Sequence, residues 1–449
     1  MANCCTATVC SIALLIAVPI VIANSVVQAA TLTTIHSFAG YPSDGSGPAG
    51  GLVIGPGGVL YGATYSGGAD NCGTVFSLTP PASGDAWTPS VYSFPTGPDG
   101  WCLGGANPVA GLAIARGGAV LYGSTQSGGS CSGGTIFELR PPAAPAGSWA
   151  ESVVLNVCAF PSLAGPNSSP VVGRDGVLYA TILGDPSGAS EIGRVFSLTP
   201  PASPGRSWSE TVLHTFTGPG DGTQPNGVAL GSDGQLYGTT ESGGTGPCYG
   251  GFSGCGTVYS LTPPKIPGDT WVEAILHNFT DRIGDGTFPV GAVLVGSDGV
   301  LYGVASAGAL GAVYNDCSEG CGSVYSLIPP GSSGEGKFSV LYQFTGVSNG
   351  DGAVPSGGLT ALHGVLYGST ASGGLPGCFD EQGCGTIFSL TPPASVGGSW
   401  TETVLYRFPN AAPPASPNGS LVADSNGILY GVTWAGGAFN QGTVFSFTP

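Results

Sequence analysis

The sequence has little charge, and least of the positive sign. Nine Lys plus Arg stand against 26 Asp plus Glu, a net charge of −17, and 8% of the 449 residues are charged. The cations are scattered singly, so a nucleic-acid partner is not expected, because such binding rests largely on neutralising phosphates. The balance suits a soluble protein that repels anionic surfaces or holds cations. Histidine is scarce, with four copies, and His-Glu-x-x-His is absent. No base recurs beside the many serines, so no catalytic set is assigned. Past the first thirty residues no stretch is apolar enough to span a membrane. Glycine is abundant (81 residues) yet lacks a Gly-X-Y period, which excludes collagen.

What is present is a repeat. Leu-Tyr recurs at Leu60-Tyr61, Leu121-Tyr122, Leu178-Tyr179, Leu236-Tyr237, Leu301-Tyr302, Leu366-Tyr367 and Leu429-Tyr430. A nearly fixed period of this length signals one supersecondary unit used repeatedly. Each copy reads as four short strands. Strand A is small-residue, as at Gly51-Leu52-Val53-Ile54, and strand B carries Leu-Tyr-Gly. A loop with Gly-Gly and cysteines leads to strand C, Gly-Thr-Val-Phe-Ser-Leu, which Thr-Pro-Pro ends because proline cannot continue a ladder. Strand D follows, closing on Phe38, Phe94, Phe160, Phe216, Phe279, Phe344 and Phe408. Asp-Gly and Asn-Gly turns between A and B fit hairpins.

Seven such units predict an all-β, seven-bladed β-propeller of four-stranded blades. The chain starts with a lone strand D and stops after strand C. The N-terminal strand is therefore expected to complete the last blade and close the ring.

The Leu-Tyr-Gly-x-Thr, Ser-Gly-Gly and Gly-Thr-Val/Ile-Phe-Ser-Leu-Thr-Pro-Pro blocks resemble the Gloeo-Verruco (GloVer) tandem repeat of bacterial exported proteins. The resemblance covers nearly all of the chain after the leader. It implies export and carries no activity with it. The third copy departs, reading Leu178-Tyr179-Ala180 and lacking Gly-Gly. The chain ends at Thr448-Pro449 without a hydrophobic tail, so a freely released protein is expected.

Residues 1–29 read as a secretory leader, with the apolar core Ser11–Ala23 and cleavage after Ala29. The mature domain is 30–449, in a secreted, periplasmic or cell-surface setting, and expected to be a monomer. Three cysteines fall in the leader. Ten remain, an even number that suggests disulfides in an exported chain. Cys248/Cys255, Cys317/Cys321 and Cys378/Cys384 read as local pairs in equivalent loops. Cys72, Cys102, Cys131 and Cys158 allow three pairings that spacing does not separate.

Topology groups the remaining candidates. In a meander the B–C and D–A loops share one face. Trp87, Trp149, Trp208, Trp271 and Trp400 all precede strand D and read as structural anchors, whereas Trp101 and Trp434 fall outside that register. Ring closure makes the repeats of Tyr65 and Trp434 neighbours, and Trp101 lies in the next D–A loop. Tyr65, Trp101 and Trp434 are therefore the candidate ligand-binding residues, an aromatic patch for a sugar ring or a partner side chain.

The D–A acids Asp44, Asp99, Asp221, Asp285 and Asp351 read first as turn residues. Calcium is the only cofactor considered for them, and one carboxylate per blade is a poor fit to the several oxygens it wants. The expected function is non-catalytic binding of an extracellular glycan or protein on the loop face. The alternative is a polysaccharide lyase or hydrolase with its site in the central channel.

Overall fold

The computed structural model describes residues 30–449, apart from 85, 143–146, 159–164, 185–191, 204–205, 249–253, 267, 281, 283, 309–316, 318–319, 331–335, 379–381, 396 and 410–414. The expected leader and Phe160 lie outside the described residues. Among the described residues the strands are joined by turns and by one-turn 3-10 helices such as Pro56–Gly58 and Val347–Asn349, and no described helix is long and apolar enough to cross a membrane.

The strands form seven antiparallel sheets, four-stranded blades in sequence order apart from the last, which the N-terminal strand completes, a seven-bladed propeller. The fourth blade is typical: Thr223–Leu230, Leu236–Ser242, Thr257–Thr262 and Val272–Asn278 are its strands A to D. In the sixth and seventh blades strand A is broken in two. The N-terminal strand Thr31–Ser37 lies beside Thr443–Thr448, with Thr31 opposite Thr448, and so closes the ring as the outer strand of the last blade.

The repeated motif follows from packing within and between blades. The Leu of Leu-Tyr-Gly is buried in every blade, and the strand C aromatic lies across its Gly. A Cβ at Gly62 would stand 2.5 Å from Cζ of Phe76, and one at Gly303 2.3 Å from the Tyr325 hydroxyl. The motif Tyr faces the next blade, where it meets the Trp ahead of strand D edge-on. Tyr61 meets Trp149, Tyr122 meets Trp208, Tyr179 meets Trp271, Tyr302 meets Trp400, and across the closure Tyr430 meets Trp87, with ring centres 5.9–6.5 Å apart. Such a pair contributes about 0.5–1.5 kcal/mol beyond its buried area.

A second seam device has a backbone cause. In six blades the residue before the strand A proline is left-handed: Gly47, Asn107, Gln224, Phe288, Val354 and Ser416, with φ from 53° to 61°. That turn aims its N–H at the preceding blade. Val354 donates to the Cys321 carbonyl at 2.9 Å, Ser416 to Cys384 at 3.0 Å, and Gly47 to Gln441 at 2.9 Å across the closure. The proline then packs on the Gly that opens strand C of that blade. A Cβ at Gly256 would lie 2.6 Å from Pro289 Cδ, and one at Gly442 2.4 Å from Pro48 Cδ. For residues other than Gly and Asn, the left-handed turn costs about 1–2 kcal/mol.

Five disulfides pin the loop face. The local pairs Cys248–Cys255, Cys317–Cys321 and Cys378–Cys384 are as expected. The open choice resolves to Cys72–Cys102 and Cys131–Cys158, each tying a B–C loop to the following D–A loop. These two bonds place the two loop types on one face.

Candidate functional site

Trp434 ends strand B of the seventh blade, Leu429–Ala435, and Tyr65 occupies the matching place in the first, Leu60–Gly67. Ring closure brings their centroids to 5.7 Å at a 55° tilt. The indole rests on Gly47, where a Cβ would stand 3.2 Å from its Cη2. Trp434 nevertheless keeps 42% of its surface exposed. Beside it a cleft of about 340 Å³ is lined by Ser356, Ala371, Ser372, Ser416, Pro417 and Asn418. Its polar groups are hydroxyls and an amide. The Ser416 hydroxyl is buried without a hydrogen-bond partner, an arrangement that costs about 1–3 kcal/mol unless a ligand or water meets it.

Trp101 sits apart, in the loop that Cys72–Cys102 holds. It is 68% exposed, and among the described residues it has no ring partner. The sequence pattern overlooked two further aromatics. Tyr41 and Phe439 are 63% and 59% exposed and lie in the D–A and B–C loops on either side of the closure. The exposed aromatics among the described residues, Tyr41, Trp101, Trp434 and Phe439, thus all stand on the loop face of blades seven and one and the loop leading from blade one to two. Irregular loops carry no repeat register, which is why sequence alone did not single out Tyr41 and Phe439.

The loop acids divide. Asp44, Asp221, Asp285 and Asp351 each accept from backbone N–H groups of their own loop and from a strand D side chain. His36, His214 and His277 direct a ring N–H at 3.1, 3.2 and 2.7 Å, and Tyr342 its hydroxyl at 2.9 Å. Burial would raise Asp44 and Asp221. The His hydrogen bonds and loop N–H groups overcome it and hold both below the usual carboxylate range. This explains why His and Tyr interchange on strand D: both present a flat ring to the Phe two residues on and a donor to the acid. Asp99 departs from the set. It is exposed, and its loop instead receives Asp70, which accepts from the Thr96 N–H at 2.8 Å.

At two seams a glutamate from the next blade's strand D joins the acid. Glu273 approaches His214 and Asp221, and one ligand atom from each lies within 4.8 Å of the others. Burial, then the Asp221 charge, pushes Glu273 up to about 7. Burial and Asp351 do the same to Glu402, also to about 7. Burial beside a neighbouring carboxylate favours the protonated form of each glutamate. The His214, Asp221 and Glu273 group could hold a divalent ion. Its imidazole suits a zinc-like ion better than calcium, which takes six to eight oxygens.

The centre of the ring holds a cavity of about 450 Å³ walled by residues in or beside strand A of all seven blades, chiefly Gly, Ser, Ala, Val and Asn. None of its described lining side chains titrates, so it offers no general acid or base. Gly346-Val347-Ser348-Asn349-Gly350 has the Gly-x-Ser-x-Gly spacing of a serine nucleophile. Its centre is a 3-10 turn in a D–A loop, Val347–Asn349, and not a strand-to-helix elbow. Gly336-Lys337 similarly enters a strand with Phe338 where a phosphate loop needs Ser or Thr.

With this geometry in hand, the Gloeobacter/Verrucomicrobia repeat matches residues 22–148, 151–374 and 247–449. The chain belongs to the Gloeobacter/Verrucomicrobia repeat family. No curated protein matches the chain. Solved propellers similar to this repeat protein include a putative 6-phosphogluconolactonase from Bacteroides uniformis, at 15% identity and TM-score 0.48 over 78% of this chain and 83% of that one. The Pseudomonas aeruginosa periplasmic gluconolactonase PpgL is 16% identical with TM-score 0.48, over 80% and 86%. The pyranose dehydrogenase PQQ domain from Coprinopsis cinerea is 12% identical with TM-score 0.42, over 94% and 98%. Likenesses this distant carry no residue or activity to the repeat protein. In it, the family motif builds blades and seams, and the candidate site is made of residues outside the motif.

Proposed function

We propose that this is an exported, non-catalytic propeller that binds an extracellular carbohydrate on its loop face. The observation that carries the reading is the Tyr65–Trp434 ring pair beside a cleft whose buried Ser416 hydroxyl lacks a partner. A sugar presents an apolar ring face and a rim of hydroxyls, and an aromatic platform with hydroxyl and amide neighbours complements both. The cysteine pairs agree with an oxidising compartment. Nothing lining the central cavity supports the hydrolase or lyase alternative.

The test is binding of the chain freed of residues 1–29 to a broad glycan array, with calcium and with chelator. A hit independent of calcium should be lost in the Tyr65→Ala/Trp434→Ala double variant while its melting temperature stays within a few degrees. Undiminished binding by that variant would remove the aromatic site. Loss of binding with chelator alone would shift attention to the His214 cluster. A blank array would favour a protein partner.

A further inference from the structure

Strand D carries one position, opposite the strand C leucine, that is glutamate in four blades: Glu151, Glu210, Glu273 and Glu402. What each one meets differs. Glu151 accepts from the Tyr92 hydroxyl at 2.8 Å. Glu210 pairs with Arg194 at 3.2 Å. Glu402 faces Asp351, and Arg407 is among the charges acting on it. Glu273 faces Asp221 across the seam between the third and fourth blades, and the other charge acting on it is His214. All nine Lys and Arg of the chain lie among the described residues, so no undescribed side chain supplies a fixed cation here. Two carboxylates drawn together out of water repel unless a cation or a proton stands between them.

The same comparison sets this seam apart as a donor set. His36 and His277 also bond a loop aspartate. The next blade, however, carries Pro89 and Phe338 in the glutamate's place, and Phe338 stacks flat on His277 at 3.7 Å. Beside Asp351 and Glu402 the imidazole is replaced by Tyr342. Imidazole, aspartate and glutamate meet, among the described residues, where His214, Asp221 and Glu273 stand, one atom from each within 4.8 Å of the others. His214 Nε2 and Asp221 Oδ1 are 3.2 Å apart. Tetrahedral ligands on bonds of about 2.0–2.1 Å stand about 3.3 Å from one another. The Thr217 N–H and hydroxyl hold Asp221 Oδ2, which leaves Oδ1 to the ring, and Phe216 packs edge-on to the imidazole at 4.8 Å. Outer contacts of this kind orient metal ligands. Oε1 of Glu273 is buried without a hydrogen-bond partner, as it is in Glu151 and Glu402, so the register itself turns one oxygen into the seam.

We propose that His214, Asp221 and Glu273 bind one zinc-class divalent cation across this seam, with water in the remaining coordination position. The two carboxylates balance the ion's charge. The imidazole selects it over calcium, and three protein ligands leave a tetrahedral position open. The ion would tie strand D of the third blade to strand D of the fourth. This seam is not the closure that carries Trp434, so the site stands independently of the carbohydrate reading.

The test is calorimetry with Zn²⁺ alone on the untagged chain freed of residues 1–29. Its ten cysteines are in disulfides and do not compete for the metal. One zinc should bind per chain, equimolar calcium should not displace it, and the melting temperature should rise with zinc. Glu273→Gln keeps the shape and removes a ligand charge. It should fold, and it should weaken zinc at least about tenfold. Glu402→Gln makes the same change at the seam that has Arg407 and should leave zinc affinity unaltered. Co²⁺ in place of Zn²⁺ should give visible absorption that His214→Gln removes. A chain that binds no zinc would overturn the site and leave the seam to a proton. Zinc affinity untouched by Glu273→Gln, or lowered as much by Glu402→Gln, would overturn it too. Tighter binding of calcium at the same residues would overturn the zinc class.

Discussion

At the scale of single residues, a glycine and a glutamate show how narrowly each blade is specified. Gly256 opens strand C at φ +101°, with Pro289 of the next blade 2.6 Å from where a Cβ would stand. Gly256→Ala should therefore lose about 3 kcal/mol, from left-handed strain added to overpacking, measured by urea unfolding. Glu402 makes a different point. Its carboxyl is raised to about 7 by burial and by Asp351, so the protonated form is the one the fold prefers. Its contribution to stability is complete below the unfolded value near 4.5 and is lost as pH climbs through about 7. Glu402→Gln should match the wild type at pH 5 and melt higher at pH 8. A wild-type profile no steeper than the variant's across that window would contradict the raised Glu402 carboxyl. The glycine's necessity could be read from its recurrence in the repeat. The glutamate's could not, because Asp351 comes from the loop before its blade and the two meet only across a seam.

At the scale of elements, the loop-face cysteines behave as two classes. Cys317 and Cys321 are four residues apart and close one small loop, whereas Cys72 and Cys102 are 30 apart and join a B–C loop to a D–A loop. By loop-closure entropy the longer link restrains the unfolded chain more, about 3.5 against about 2 kcal/mol. Replacing both Cys72 and Cys102 with Ser should accordingly lower the unfolding free energy further than the same change at Cys317 and Cys321. Equal losses would show that strain or residual unfolded structure dominates. The short pairs were legible because they repeat in register. The long ones were not, since three pairings satisfied the same spacing and only the folded chain brings Cys72 to Cys102 and Cys131 to Cys158, with Cα atoms 6.0 and 4.8 Å apart. The strand pattern itself was legible throughout. Alternating faces, glycine under the strand C aromatic and proline stops are local requirements.

At the scale of the whole molecule, the ring depends on a strand separated from its partner by nearly the full chain. Phe38, fully buried, follows that strand and meets Phe76 of the first blade edge-on at 5.0 Å. Phe38→Ala should cost about 3–5 kcal/mol and should raise hydrogen exchange first along Thr443–Thr448 and Gly45–Ile54. Uniform acceleration around all blades would mean that the closure opens no sooner than any other seam. The seven-fold period, the four-strand unit and the closing role of Thr31–Ser37 were fixed by sequence, because each rests on patterns that recur at a constant spacing and on proline and glycine chemistry that acts locally. Ring closure already made Tyr65 and Trp434 neighbours, whereas the left-handed residues before the strand A prolines, the His214 cluster and the raised Glu273 and Glu402 carboxyls were decided by tertiary structure alone. They join residues of different blades at positions that vary from copy to copy, and a repeat announces only what its copies have in common.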